Sequence, residues 1–123
     1  MKKLIYPSIL MIVLAIIISS WTYVNSPNPL PTSMRITVID YVGNVVEGAA
    51  VQLFLTEKDY RGETNQVGET QYTDKKGRAT IKNLQPRVYY LYVTKDDMNN
   101  IGGGVRTDTL VEGKVNKLNV VIE

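Results

Sequence analysis

The 123-residue sequence predicts an all-β fold, a seven-stranded sandwich preceded by an N-terminal apolar helix. Three observations carry that expectation. From Met34 onward, β-branched and aromatic residues alternate with polar ones in short runs, the period that places one face of each strand in a core. Gly, Asn and Asp clusters interrupt those runs roughly every eight to twelve residues, a spacing that suits a sandwich better than a helix-covered sheet. Ahead of them, residues 4–24 carry no charge.

Residues 1–24 read as a signal-anchor or a signal peptide. Lys2 and Lys3 precede the apolar run, the polarity that holds an amino terminus in the cytoplasm and sends the remainder of the chain across the membrane. As a helix, Leu4 to Val24 would span roughly 30 Å, with Tyr6 at one interface and Trp21 and Tyr23 at the other. The most apolar part, Ile9 to Ile18, is also within signal-peptide length, and Ser19-Ser20 come directly after it, although no Ala-x-Ala is present. An uncleaved anchor is the preferred reading, with secretion after cleavage as its alternative. Residues 25–33, N-S-P-N-P-L-P-T-S, place three prolines in nine positions and read as an extended linker.

Residues 34–123 form the expected domain. Strands are expected near 34–40, 49–55, 67–73, 78–82, 88–94, 105–110 and 115–122. Alternation turns Ile36, Val38, Val51, Leu53, Leu55, Ile81, Leu84, Tyr89, Leu91, Val93, Leu118, Val120 and Ile122 inward. Gly43-Asn44 suits the positive φ of a tight turn, and Asp74 to Gly77 a hairpin turn with Asp first and Gly last. The mixed-charge stretch T-E-K-D-Y-R-G-E-T-N-Q, residues 56–66, reads as a solvated connection.

Composition narrows function. The chain has fourteen Lys and Arg against twelve Asp and Glu. Setting aside Lys2 and Lys3 leaves the domain at twelve against twelve. A neutral domain without a basic run lacks the footprint of a nucleic-acid binder. There is no Cys and no His. Ser-His and Cys-His nucleophilic catalysis are therefore excluded, and no disulfide frame exists.

Two blocks carry a resemblance. D-Y-V-G-N-V-V-E-G-A-A-V-Q-L, with Asp40, Gly43, Val46, Gly48, Ala49, Val51 and Leu53, resembles the D-x-x-G-x-P-V-x-G-A-x-V-x-L signature of carboxypeptidase regulatory-like domains. Val45 stands where that signature has proline. T-D-K-K-G-R-A-T-I-K-N-L-Q-P-R-V-Y-Y-L-Y-V is similar to the same family's second block, in which Thr73, Asp74, Gly77, Ala79, Ile81, Leu84, Pro86, Tyr89, Leu91 and Val93 fall in step and Arg87 replaces a glycine. The resemblance covers about ninety residues and implies a prealbumin-like (transthyretin-type) β-sandwich of a bacterial envelope protein, with Ala49 and Ala79 as small inward residues. Other sandwiches of this type have sharper chemistry. Adhesin repeats of the collagen-adhesin B type form a Lys-Asn isopeptide bond with an acid nearby; here Arg35 is on the first strand and Val93 at the acid position, leaving only Asn119, so no such bond is expected. Hydroxyisourate hydrolases and intradiol dioxygenases need histidines that the chain lacks.

Three candidate sites remain. Asp96, Asp97, Asn99, Asn100 and Asp108 are hard oxygen donors in a loop, but their spacing fits no EF-hand, and a plain connector is the preferred reading. Asp96 with Asp97 as a carboxylate hydrolase pair is disfavoured, since neighbours on extended chain point apart. Phe54, Tyr90 and Tyr92 alternate outward beside inward neighbours, so they are the candidate partner or glycan contact; pairing across strands or cover by a loop is the competing structural explanation. The expected function is a non-enzymatic envelope binding or accessory module without cofactor or metal, displayed outside the cytoplasm and held to the membrane through residues 4–24. Its expected partner is an envelope protein, a peptide or a glycan, and no nucleic acid. The alternative is a structural spacer or self-assembling sandwich subunit.

Overall fold

In the computed structural model, residues 30–123 are described; the helix expected over residues 4–24 and most of the 25–33 linker lie outside them. Seven strands run in chain order: β1 (Thr32–Asp40), β2 (Ala50–Phe54), β3 (Gln71–Tyr72), β4 (Arg78–Leu84), β5 (Tyr90–Lys95), β6 (Met98–Asn99) and β7 (Val115–Ile122). One short helix, α1 (Glu57–Gly62), lies between β2 and β3.

The strands form two sheets, ordered β4-β1-β7 and β3-β2-β5-β6. β1 pairs antiparallel with β4 and parallel with β7. Beyond β7, the backbone of Glu123 exchanges hydrogen bonds with Asn99 at 3.0 and 3.1 Å, tying the two sheets together along one side.

Alternation across the pleat fills the space between them. Met34, Ile36 and Val38 of β1 are fully buried against Val51, Leu53, Leu91 and Val93, and Val120 and Ile122 close the layer. Ala49 and Ala79 are buried, as small residues are where the sheets approach. Leu55, Ile81, Leu84 and Leu118 face the core but are only partly covered, since they sit at its margin. Met34, Val46 and Leu110 join the core beyond the residues expected from the sequence, Met34 by continuing the alternation of Ile36 and Val38.

Two D-x-x-G turns close one end of the sandwich by the same geometry. At Asp40, Oδ1 accepts the N–H groups of Val42 and Asn44, while the Gly43 N–H donates to the Asp40 carbonyl. At Asp74, Oδ1 accepts those of Lys76 and Arg78, and the Gly77 N–H donates to the Asp74 carbonyl. Gly43 takes the positive φ, 94°, whereas Asn44 does not. Gly77 is fixed twice: φ is 72°, and a Cβ there would stand 2.9 Å from both the Val38 carbonyl oxygen and the Val45 Cβ. The two turns therefore interlock.

Three elements differ from the sequence reading. The strand expected over 67–73 shrinks to Gln71–Tyr72, because Gly68 with φ 66° breaks the extension after Val67. The strand expected over 105–110 is not regular. Its backbone still tracks β5, with the Leu91 N–H donating to Val105 O at 2.6 Å and the Thr107 N–H to Tyr89 O at 2.9 Å, but the sixth strand is Met98–Asn99. A 3₁₀ turn at Ile101–Gly103 makes the chain leave the sheet edge and rejoin it, splitting one long partner for β5 into two short ones. Finally, the connection over 56–66 contains α1. Thr56 caps it by accepting the Asp59 N–H, Glu57 and Asp59 favour its first turn, and Glu57 pairs with Arg61 one turn later at 2.6 Å.

Candidate functional site

Four aromatic rings meet on the outer face of the β3-β2-β5-β6 sheet. The register of β2 on β5 sets Phe54 opposite Tyr90 and Gln52 opposite Tyr92. Tyr89, Leu91 and Val93 are buried in the core while Tyr90 and Tyr92 are half-buried on the far side, as alternation requires. Helix α1 lays Tyr60 across this face. Its ring stands 6.2 Å from Phe54 and 6.1 Å from Tyr92, both edge-on, and 6.4 Å from Tyr90 in a stacked orientation. Such pairs add stabilisation beyond their buried area.

Phe54 corrects the expectation of exposure. It points away from the inter-sheet core, as alternation predicts, yet it is fully buried, because α1 and Tyr60 cover it. It cannot touch a partner directly; it is the floor on which Tyr60 rests. Tyr90 and Tyr92 keep partial exposure.

Beside the rings runs a groove of about 560 Å³ between Tyr60 and Tyr92 on one side and Ile101 and Val105 on the other, with Glu57, Arg61 and Glu63 on its rim. Ile101 is 60% exposed at the crest of the 3₁₀ turn. Burial pushes the Tyr60 phenol above its ordinary pKa, the neighbouring Tyr92 adds to the rise, and Arg61 opposes it. The Tyr60 phenol is thus a neutral hydrogen-bonding group at physiological pH. The site offers flat rings for stacking, hydroxyls for hydrogen bonding and an aliphatic wall.

Asn100 sets that wall in place. Fully buried, it replaces the missing rung between β6 and the 105–107 segment. Its Oδ1 accepts the Val93 N–H at 2.9 Å, and its Nδ2 donates to the carbonyls of Leu91 and Gly104, each at 3.1 Å. Gly103 lets the turn close down, since a Cβ there would lie 3.0 Å from the Val121 carbonyl oxygen. At this point the glycine run serves close approach.

The loop carboxylates do not converge. Asp96 and Asp97 occupy the turn between β5 and β6, Asn99 Oδ1 accepts the Ile101 N–H, Asn100 is committed to backbone, and Asp108 adjoins Thr107 beside Tyr89 at the opposite end of β5. Among the described residues, no group of three His, Cys, Asp or Glu side chains gathers to hold a metal. Of the isopeptide positions, Arg35 and Asn119 face outward and Val93 is core. Arg87, which stands where the resembled motif has glycine, donates from Nη2 to the Leu55 carbonyl at 3.1 Å and lies 5.9 Å from the centre of the Tyr89 ring.

Tyr60, Ile101 and Val105 are not legible as site residues in the sequence. Thr56 with Asp59 three residues on, and Glu57 with Arg61 four on, are the available signals for the helix that carries Tyr60.

No protein-family model and no curated sequence matches the chain. Solved structures do. A streptococcal ancillary pilin aligns at 23% identity with a TM-score of 0.59, over 79% of this chain and 33% of that one. The major pilin subunit of Bacillus cereus aligns at 18% and 0.45, over 77% and 30%. A chlorocatechol 1,2-dioxygenase from Pseudomonas putida aligns at 18% and 0.47, over 80% and 63%. The chain spans about a third of the length of the streptococcal pilin, and what the two share is a β-sandwich fold.

Proposed function

We propose that this chain is a non-enzymatic binding or accessory module of the bacterial cell envelope, with its sandwich on the extracytoplasmic side and the Tyr60–Tyr92 groove as its contact surface. The observation that carries the reading is the groove itself. Two half-buried phenols, braced from below by Phe54, open beside exposed Ile101. Rigid aromatic anchors of this kind dominate recognition surfaces and lose little entropy on binding. An envelope protein, a peptide or a glycan matches the chemistry. The absence of His and Cys from the sequence supports a role without catalysis.

The finer arrangement belongs to the same proposal: residues 1–24 as membrane anchor, 25–33 as linker, and 34–123 as a domain of the carboxypeptidase regulatory-like kind. The repeated D-x-x-G turns support that kinship, since each signature block supplies one. A photoreactive residue in place of Tyr92, in the full chain in cells, should give one discrete adduct absent when the probe replaces exposed Glu112. Equal capture from both positions would overturn the reading.

A second reading, a self-assembling or spacer subunit, is supported by the shared fold with a pilin. Sedimentation of the full chain in micelles tests it; a strict monomer at the highest attainable concentration contradicts it.

A further inference from the structure

We propose that the outer face of the β4-β1-β7 sheet is a docking surface for a single-stranded polyol-phosphate polymer, one that carries a phosphodiester at each repeat. It lies on the opposite sheet from the aromatic groove and stands independently of it. The domain's cations and acids are equal in number and scattered in sequence, so no basic cluster is visible there. Folding separates them. Arg35 on β1 sits in register between Thr80 on β4 and Lys117 on β7. Arg78 is one strand across and two residues along, opposite Thr37, and Lys82 is exposed further down the same strand. Lys75 and Lys76 crown the patch on the neighbouring turn and share a groove of about 480 Å³ with Arg35 and Arg78.

Among the described residues, no acid forms an ion pair with this face. The one ion pair there is Arg61 with Glu57, on the other sheet, and residues 1–29 contain no Asp or Glu. One acid, Asp74, lines the same groove, and it spends its Oδ1 on the N–H groups of Lys76 and Arg78. Like charges on adjacent strands repel, so the face is held against a standing electrostatic penalty that a polyanion would relieve.

The residues between the cations select among polyanions. Thr37, Thr80 and Asn119 interleave hydroxyls and an amide with the charges, partners for polyol hydroxyls between phosphates. None of the outward positions on these three strands is aromatic, so single-stranded nucleic acid would find no stacking platform. The exposed valines, Val115 and Val121, stand at opposite ends of β7. Val121 lies in register with Ile39, which bridges exposed Val45, and this single short row falls well short of the extended apolar face that insertion into a lipid surface requires.

The test uses the full chain in zwitterionic micelles and a fluorescent synthetic poly(glycerol phosphate), with anisotropy read across salt concentration. Binding should weaken as salt rises. R35Q/R78Q/K117Q should weaken it at least about tenfold at low salt and lower the log-log salt slope by roughly two, about 0.7 for each lost phosphate contact. Its melting temperature should hold or rise, because repulsion is removed, and a Tyr92 crosslink should persist. An unchanged slope in the triple variant, absent polymer binding, or tighter binding to anionic vesicles at equal charge concentration would each overturn the proposal.

Discussion

Replacing Asn100 tests whether one side chain supports the split sheet edge. In Asn100→Ala, the Val93 N–H and the Leu91 carbonyl lose their partners inside a fully buried site, and the Gly104 carbonyl loses a third bond at its edge. Each buried group left unpaired costs about 1–3 kcal/mol, so the two together cost roughly 2–6 kcal/mol, with Gly104 able to turn to water. A domain of this size is stable by about 5–14 kcal/mol, and each kcal/mol shifts Tm by roughly 4–8 °C. The variant should therefore melt at least about 8 °C lower, monitored by far-UV circular dichroism. Asn100→Asp separates hydrogen bonding from volume. A carboxylate there can still accept from Val93 but confronts two carbonyl oxygens, so its folded pKa would be raised above the unfolded value near 3.9. The stability contributed by the protonated acid is then present below that unfolded value and lost as pH rises through the folded one. The Asp variant should recover part of its deficit relative to wild type as pH falls towards about 4. A wild-type Tm in the Ala variant, with the sheet intact, would refute the role given to Asn100.

Three further perturbations probe the turns, the acid limb and the aromatic cluster. Gly77→Ala should destabilise by about 2 kcal/mol or more in urea unfolding, because the left-handed backbone alone costs about 1–2 kcal/mol and the Cβ meets the Val38 carbonyl; a change under about 0.5 kcal/mol would contradict the interlocked turns. Asp74 is held below the ordinary carboxylate range, first by the Arg78 backbone N–H and then by the Lys76 N–H and the two neighbouring cations. A depressed folded pKa contributes stability that is present above about 3.9 and lost as pH falls through the lower folded value, so Asp74→Asn should flatten the acid limb of the urea midpoint below about pH 4. Phe54→Ala should cost about 3–5 kcal/mol, as for a core phenylalanine, while Ile101→Ala, at an exposed site, should change stability by under about 0.5 kcal/mol.

The sandwich was legible because its signals are local and periodic. Alternation along β1, β5 and β7 determines which side chains face in, and Asp-x-x-Gly determines two turns whose bonds close within five residues. What was missed depends on contacts distant in sequence. Phe54 alternates outward as expected, and nothing in its own strand reveals that Tyr60, on a short helix, covers it. The 105–110 strand has the right residues, yet its pairing is decided by how Asn100 and three glycines route the chain beforehand. The cationic face escaped notice for a similar reason: Arg35, Arg78 and Lys117 are dozens of residues apart until a parallel and an antiparallel pairing set them side by side.

The central claim, that the groove between Tyr60 and Ile101 is where this module meets its partner, is most directly tested by one comparison of crosslinking yield. A photoreactive residue at Tyr92 is placed in the otherwise native full chain and in Ile101→Asp, whose exposed site leaves the fold intact. The adduct should fall several-fold when Ile101 carries a charge, and an equal yield from both chains would place the contact elsewhere.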